Sequence, residues 1–104
     1  MNKINIINEK SYQEAERLIE QARVTSAKQL DLSSLRIVDL PTSLGQLHWL
    51  KLLDLSNCYW LQNLSVLENL ADLQSLNLSW CEQLTDLKEL ENLTDLQSLN
   101  CKNS

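Results

Sequence analysis

Leucines recur along this chain at a fixed interval and set the pattern of its hydrophobic positions. Leu30, Leu53, Leu76 and Leu99 are separated by 23 residues at each step, and at the first three a leucine-x-leucine pair is followed by serine. Alternation over so few residues predicts a short β-strand whose two leucines point to the same side. A fixed period of this length predicts a solenoid, in which one short unit stacks on the next.

The repeated segments can be aligned over residues 27–104. They cover residues 27–49, 50–72 and 73–95, followed by a shorter segment over residues 96–104. We expect their strands to run parallel, about 4.8 Å apart. A chain of 104 residues is long enough for one domain, so the sequence predicts a single α/β solenoid in which leucine supplies most of the core.

The part of each segment that follows the strand has a different period. Leucines occur at every third residue over positions 61–73 and again over positions 84–96. A spacing of three drifts around an α-helix but stays on one side of a 3₁₀ helix. We therefore expect 3₁₀ turns or short helices on the return path. Pro41 and Gly45, the only proline and glycine of the chain, predict a more extended return in the first segment.

The segment 1–26, before the repeats, is predicted to form one amphipathic helix. Ser11 and Glu14 have the spacing of a capping box, which indicates that the helix starts there. An apolar stripe at helical spacing follows over residues 15–22. The helix is expected to end near Val24–Thr25, where β-branched residues begin. Its apolar stripe should lie across the exposed edge of the first repeat, so that this edge cannot recruit other chains.

Charge and cysteine content limit the function classes. Residues 1–28 carry a net charge of +1 and residues 29–104 one of −6, within the total of −5. An acidic repeat region without a basic stripe argues against nucleic-acid binding. No apolar stretch resembles a secretory signal or reaches the ~18 residues of a membrane span, and an odd number of cysteines within the repeat pattern indicates reduced thiols. These features favour a cytoplasmic protein that does not enter a membrane.

The spacing of the leucines and cysteines resembles that of the leucine-rich repeat family. Residues 50–61 and 73–84 fit the cysteine-containing version of this repeat, with Cys58 and Cys81 at the turn position. The first segment is similar to bacterial or plant repeats with an L-P-x-x-L return. Residues 84–96 are similar to internalin-like repeats, which normally have asparagine where this chain has Cys81. An opening helix followed by repeats is also similar to bacterial members of the family.

The resemblance implies both an architecture and a type of function. The architecture is a right-handed horseshoe segment with about four short parallel strands on the concave face, 3₁₀ or short helices on the convex side, and an N-terminal capping helix. The function is non-enzymatic binding of a protein partner through strand residues that point out of the concave sheet. Carried over by position, these partner-binding residues are Asp31, Asp54, Asn77, Asn100, Ser33, Ser56, Ser79 and Leu52.

Three aromatic residues lie just after strands or at their ends. Tyr59, Trp60 and Trp80 are placed along one rim of the predicted solenoid, where exposed rings would anchor a partner. The alternative is that these rings fold over the strand ends and shield the leucines.

The sequence contains no constellation of residues that indicates catalysis or a cofactor. His48 is the only histidine, and no nucleophile motif accompanies it, so we expect an exposed loop residue. Cys58, Cys81 and Cys101 lack the spacing of a metal site, so we expect core positions and neither metal nor cofactor. An alternative to a self-sufficient binding module is a sensing or targeting arm of a larger signalling or effector protein, with its chemistry in another domain.

The last strand predicts a further interaction. Residues 97–101 form the final strand of the repeat pattern, and only two residues follow Lys102. An uncovered strand edge offers unpaired backbone groups to another chain. We therefore expect that the protein can associate with itself through this edge.

Overall fold

The computed structural model describes residues 3–102 and combines one α-helix with a four-stranded parallel β-sheet. The helix, α1, spans Lys3–Thr25. The strands are β1 (Gln29–Asp31), β2 (Leu52–Asp54), β3 (Ser75–Asn77) and β4 (Ser98–Asn100). Three 3₁₀ helices connect them, over Thr42–Gln46, Ser65–Asn69 and Lys88–Asn92.

The strands lie side by side in chain order and confirm the predicted parallel arrangement. Leu30 is opposite Leu53, Leu53 opposite Leu76, and Leu76 opposite Leu99, so each strand pairs with residues 23 positions away. The pairing continues past the strand ends, where the Leu32 N–H donates to the Asp54 carbonyl at 2.9 Å. Leucines that are equally spaced in the sequence therefore lie opposite one another in adjacent strands.

Every connection between strands contains a 3₁₀ helix of five residues, which confirms the prediction from the three-residue leucine spacing for the second and third connections. The prediction of a more extended return in the first segment is wrong. Pro41 immediately precedes the first 3₁₀ helix with φ −58°, a position that suits its fixed ring and missing N–H. Gly45 lies against the second 3₁₀ helix, where a Cβ would come within 3.0 Å of the Asn69 Nδ2 atom. The glycine therefore allows two returns to approach closely.

Helix α1 begins earlier than its sequence pattern indicates. The helix starts at Lys3, so the predicted start at Ser11 is wrong. Ser11 lies inside the helix, and its Oγ accepts the backbone N–H of Arg36 at 3.1 Å, so this hydroxyl joins the helix to the loop after β1. The end at Thr25 is as predicted. It is followed by Ser26 at φ 53°, the left-handed conformation that commonly ends helices.

The apolar side chains of all these elements form one core. Ala15, Ile19 and Ala22 of α1 are buried, and the helix contacts β1 and the first 3₁₀ helix. The inward leucines of β1, β2 and β3 are also buried, whereas Leu99 of β4 is 43% exposed. Helix α1 thus covers the β1 side of the core, and β4 forms the opposite edge within residues 3–102. No helix in this described part of the chain has an apolar stretch long enough to cross a membrane.

Candidate functional site

Four side chains form a polar ladder across the sheet, on the face that points away from the leucines. The polar ladder consists of Asp31, Asp54, Asn77 and Asn100, which lie opposite one another in register. In each, the side-chain Oδ1 atom accepts the backbone N–H of the residue two positions later, at 2.9–3.1 Å. The same side-chain turn therefore follows every strand. The predicted partner-binding ladder has a structural role of its own.

The charge of the ladder is separate from this structural role. Carboxylates occupy the ladder in β1 and β2, and amides perform the same turn in β3 and β4. Hydrogen bonds from the hydroxyl and the backbone N–H of Ser33 lower the pKa of Asp31, which is therefore ionised at neutral pH. Because asparagine supplies the same acceptor oxygen, neither Asp31 nor Asp54 needs its charge to form the turn.

The other predicted residues of the sheet face differ in their accessibility. Ser56 and Ser79 are buried, and the Ser79 Oγ donates to the Asn77 Oδ1 at 2.7 Å. Ser33 is half-buried. In contrast, Leu52 is 41% exposed at the start of β2. A shallow groove beside it is lined by Gln29, Leu30, Asp31, Leu52 and Asp54. The β1–β2 part of the sheet face therefore presents an exposed apolar side chain next to two carboxylates.

A left-handed backbone position recurs after three of the strands, which the sequence reasoning missed. Ser34, Asn57 and Trp80 have φ values of 63°, 62° and 65°, and they are 23 residues apart. Asparagine tolerates this conformation, whereas a bulky aromatic residue adopts it only with strain. Asn57 is the one signal in the sequence that points to this requirement. Trp80 is therefore held in a backbone conformation that does not suit its side chain.

The three predicted anchors, Tyr59, Trp60 and Trp80, lie at the same end of the sheet and are named here the aromatic rim. All three side chains are nearly half exposed. The Tyr59 and Trp60 rings make an edge-to-face contact with centroids 4.8 Å apart, and a groove next to them includes Arg36. A hydrogen bond from Tyr59 to the carboxylate of Glu82 raises the pKa of Tyr59. The rings combine partial packing with accessible surface.

The cysteines at the turn position are buried, which confirms their predicted location in the core. The Cys58 Sγ donates to the Leu32 carbonyl at 3.2 Å, and the Cys81 Sγ donates to the Leu55 carbonyl at 3.0 Å. Burial raises the pKa of Cys58 to about 12 and also raises that of Cys81. Each thiol thus satisfies a carbonyl of the preceding segment. Cys101 is half-buried at the edge of the core.

Alkylation rates should distinguish the buried thiols from Cys101. With iodoacetamide at pH 8, we expect Cys58 to react at least about 100-fold more slowly than Cys101, because burial both blocks access and disfavours the thiolate. Mass spectrometry of the modified peptides measures the two rates. In denaturant all three cysteines should react at similar rates, which provides the control. Equal rates in the native protein would contradict the buried position of Cys58.

In the part of the chain that the structure describes, the remaining chemically active side chains do not form a metal-binding cluster. His48 is exposed, as predicted, and its ring makes an edge-to-face contact with Trp49 at 5.0 Å. Trp49 is half-buried, and its indole N–H donates to the Ala27 carbonyl at 3.0 Å. Within residues 3–102, no three His, Cys, Asp or Glu side chains are grouped so that they could hold a metal ion.

The chain matches no protein-family model, and none of the curated proteins matches it.

Proposed function

We propose that this chain is a leucine-rich repeat solenoid that binds a protein partner through its sheet face and aromatic rim, without enzymatic activity. The fold is consistent with this family, because parallel strands recur every 23 residues and alternate with 3₁₀ helices. Within such a fold the sheet face is the concave surface and the 3₁₀ helices form the convex side. A surface that is already ordered loses little conformational entropy on binding.

The observation that carries the proposal is the juxtaposition of Leu52 with Asp31 and Asp54 on an ordered sheet. Asp31 lies directly opposite Asp54 in the pairing of β1 with β2. Each carboxylate accepts the backbone N–H of its turn with one oxygen, and its remaining lone pairs can accept a hydrogen bond from a partner. Adjacent carboxylates repel each other, so a cation between them is favoured. An arginine or lysine of the partner would meet both charges and pack its stem on Leu52.

The size and charge of this surface suit a weak, salt-sensitive complex. With three full segments and a short fourth one, the face corresponds to an interface below about 1,200 Å². Ion pairs at such an accessible site are screened by salt, so affinity should fall as the ionic strength rises.

Neutralising the two ladder carboxylates tests the proposal. In the double variant Asp31→Asn/Asp54→Asn, we expect partner capture from cells of the source organism to fall at least about tenfold. The turns should remain, because Asn77 and Asn100 already make the same hydrogen bond. The captured proteins are quantified by mass spectrometry, and thermal unfolding shows whether the fold is kept.

A matched control removes the same charge elsewhere. Asp72 and Asp95 are both exposed and lie outside the strands, so Asp72→Asn/Asp95→Asn should retain the partner. If both double variants melt like the wild type and capture the partner at the wild-type level, a binding role for the ladder carboxylates would be contradicted. Loss of capture by both would indicate that net charge, and not this site, controls binding.

A further inference from the structure

At the β4 edge of the sheet, the inward leucine is much more exposed than in the other three strands. Leu76 is 1% exposed, whereas Leu99, the equivalent residue in β4, is 43% exposed. The loss of cover extends to the 3₁₀ region, where Leu64 and Leu73 are buried but their equivalents Leu87 and Leu96 are only partly buried. Within residues 3–102, no strand pairs with the outer side of β4.

The backbone of β4 determines which groups this edge offers. The Ser98 N–H donates to the Gln74 carbonyl at 3.0 Å, and the Asn100 carbonyl accepts the Leu78 N–H at 2.7 Å. In a strand, neighbouring residues direct their backbone groups to opposite sides. The N–H and the carbonyl of Leu99 therefore face away from β3, toward the outer side of the edge.

We propose that a second copy of this chain occupies this edge, with the two β4 strands antiparallel about a two-fold axis at Leu99. The outward N–H and carbonyl of each Leu99 can then bond reciprocally to those of the other copy, as in a hydrogen-bonded antiparallel pair. The result is one continuous sheet of eight strands.

The chemistry of β4 matches itself in this register, which is the reason to assign a second copy and not an unrelated protein. Ser98 lies opposite Asn100 on the polar side, and Leu99 lies opposite Leu99 on the apolar side. Shifting one strand by a single residue would place Leu99 opposite Ser98 or Asn100, whose backbone groups are directed at β3. The interface uses the edge of β4 and not the partner-binding face, so it is independent of the proposed function.

Engineered cross-linking tests the register directly. In a hydrogen-bonded antiparallel pair the two Cα atoms are about 5.5 Å apart, within the range of a disulfide. We therefore expect Leu99→Cys to form a covalent dimer under mild oxidation. The two copies of Ser98 would be more than about 7 Å apart, too far for this bond. Ser98→Cys should therefore give at least about tenfold less dimer, with both variants made in a Cys101→Ser background.

Sedimentation equilibrium of the unmodified chain provides the second measurement. Between about 10 µM and 1 mM, we expect the mass to rise from the 12.0 kDa of one chain toward that of two. The rise should be steeper at high salt, because each copy carries a charge of −5. Leu99→Lys should abolish the rise, whereas Ser75→Lys, which changes the charge equally, should keep it. A mass of one chain throughout, or equal cross-linking of Leu99→Cys and Ser98→Cys, would overturn the proposal.

Discussion

Replacing Leu53 with alanine is expected to lower the free energy of unfolding by about 2–5 kcal/mol. The Leu53 side chain is fully buried, and it lies in register between Leu30 and Leu76. Truncation removes apolar burial and leaves a cavity that the neighbouring strands cannot close, because hydrogen bonds on both sides of β2 fix their separation. Urea unfolding followed by circular dichroism measures the change.

Leu99 provides a control that differs from Leu53 mainly in burial. Both residues occupy the same position of their strands, but Leu99 is 43% exposed. Leu99→Ala should therefore lower the free energy of unfolding by no more than about 1 kcal/mol, measured at low micromolar concentration so that association does not contribute. Equal losses for the two variants would show that the stacked leucines are not the main source of stability.

Replacing Trp80 with asparagine is expected to make the protein more stable and to weaken binding of the proposed partner. Trp80 adopts φ 65°, and asparagine already occupies the equivalent position 57 at φ 62°. Relief of this strain should raise the free energy of unfolding by about 1 kcal/mol. Because the Trp80 side chain is 46% exposed, the change removes only part of the packing that a core tryptophan would supply.

The same substitution should weaken the complex about 30-fold or more, the effect of removing an aromatic hot spot. This loss is measured by isothermal titration calorimetry with a partner that the capture experiment on the ladder variants has identified. Trp60→Asn is the matched control, since it removes an exposed rim ring without a positive φ value to relieve. It should not raise stability. A Trp80→Asn protein that melts well below the wild type would show that the ring supports the fold.

The features that followed from the sequence are those set by spacing alone. Leucines 23 residues apart fixed the pairing of Leu53 with Leu30 and Leu76, and the three-residue spacing of leucines fixed the 3₁₀ returns. Both patterns repeat several times, so one irregular residue does not obscure them.

The features that sequence reasoning missed depend on contacts between distant residues or on backbone angles. Ser11 has the spacing of a helix cap, but its hydroxyl bonds to Arg36, 25 residues later. No local pattern reveals such a contact. The left-handed conformation of Trp80 was hidden because tryptophan is a poor indicator of that conformation.

The candidate site was predicted by position but not in its chemistry. Asp31 and Asp54 were placed correctly on the outward side of the strands, yet their hydrogen bonds to the following turn were not foreseen. Alternation of side chains predicts direction and not hydrogen-bond partners. Ser56, two residues after Asp54, is predicted by the same alternation to point outward, but the turn buries it.

The identical offset between successive strands also bears on how such a chain can change length during evolution. Within residues 3–102, each strand forms its sheet hydrogen bonds with its immediate neighbours, and the sheet is open at both ends. Duplication of residues 73–95 would therefore insert one more strand and one more return without altering the pairing of those already present. A lineage could enlarge or shrink its sheet face in whole steps, each by a single genetic event.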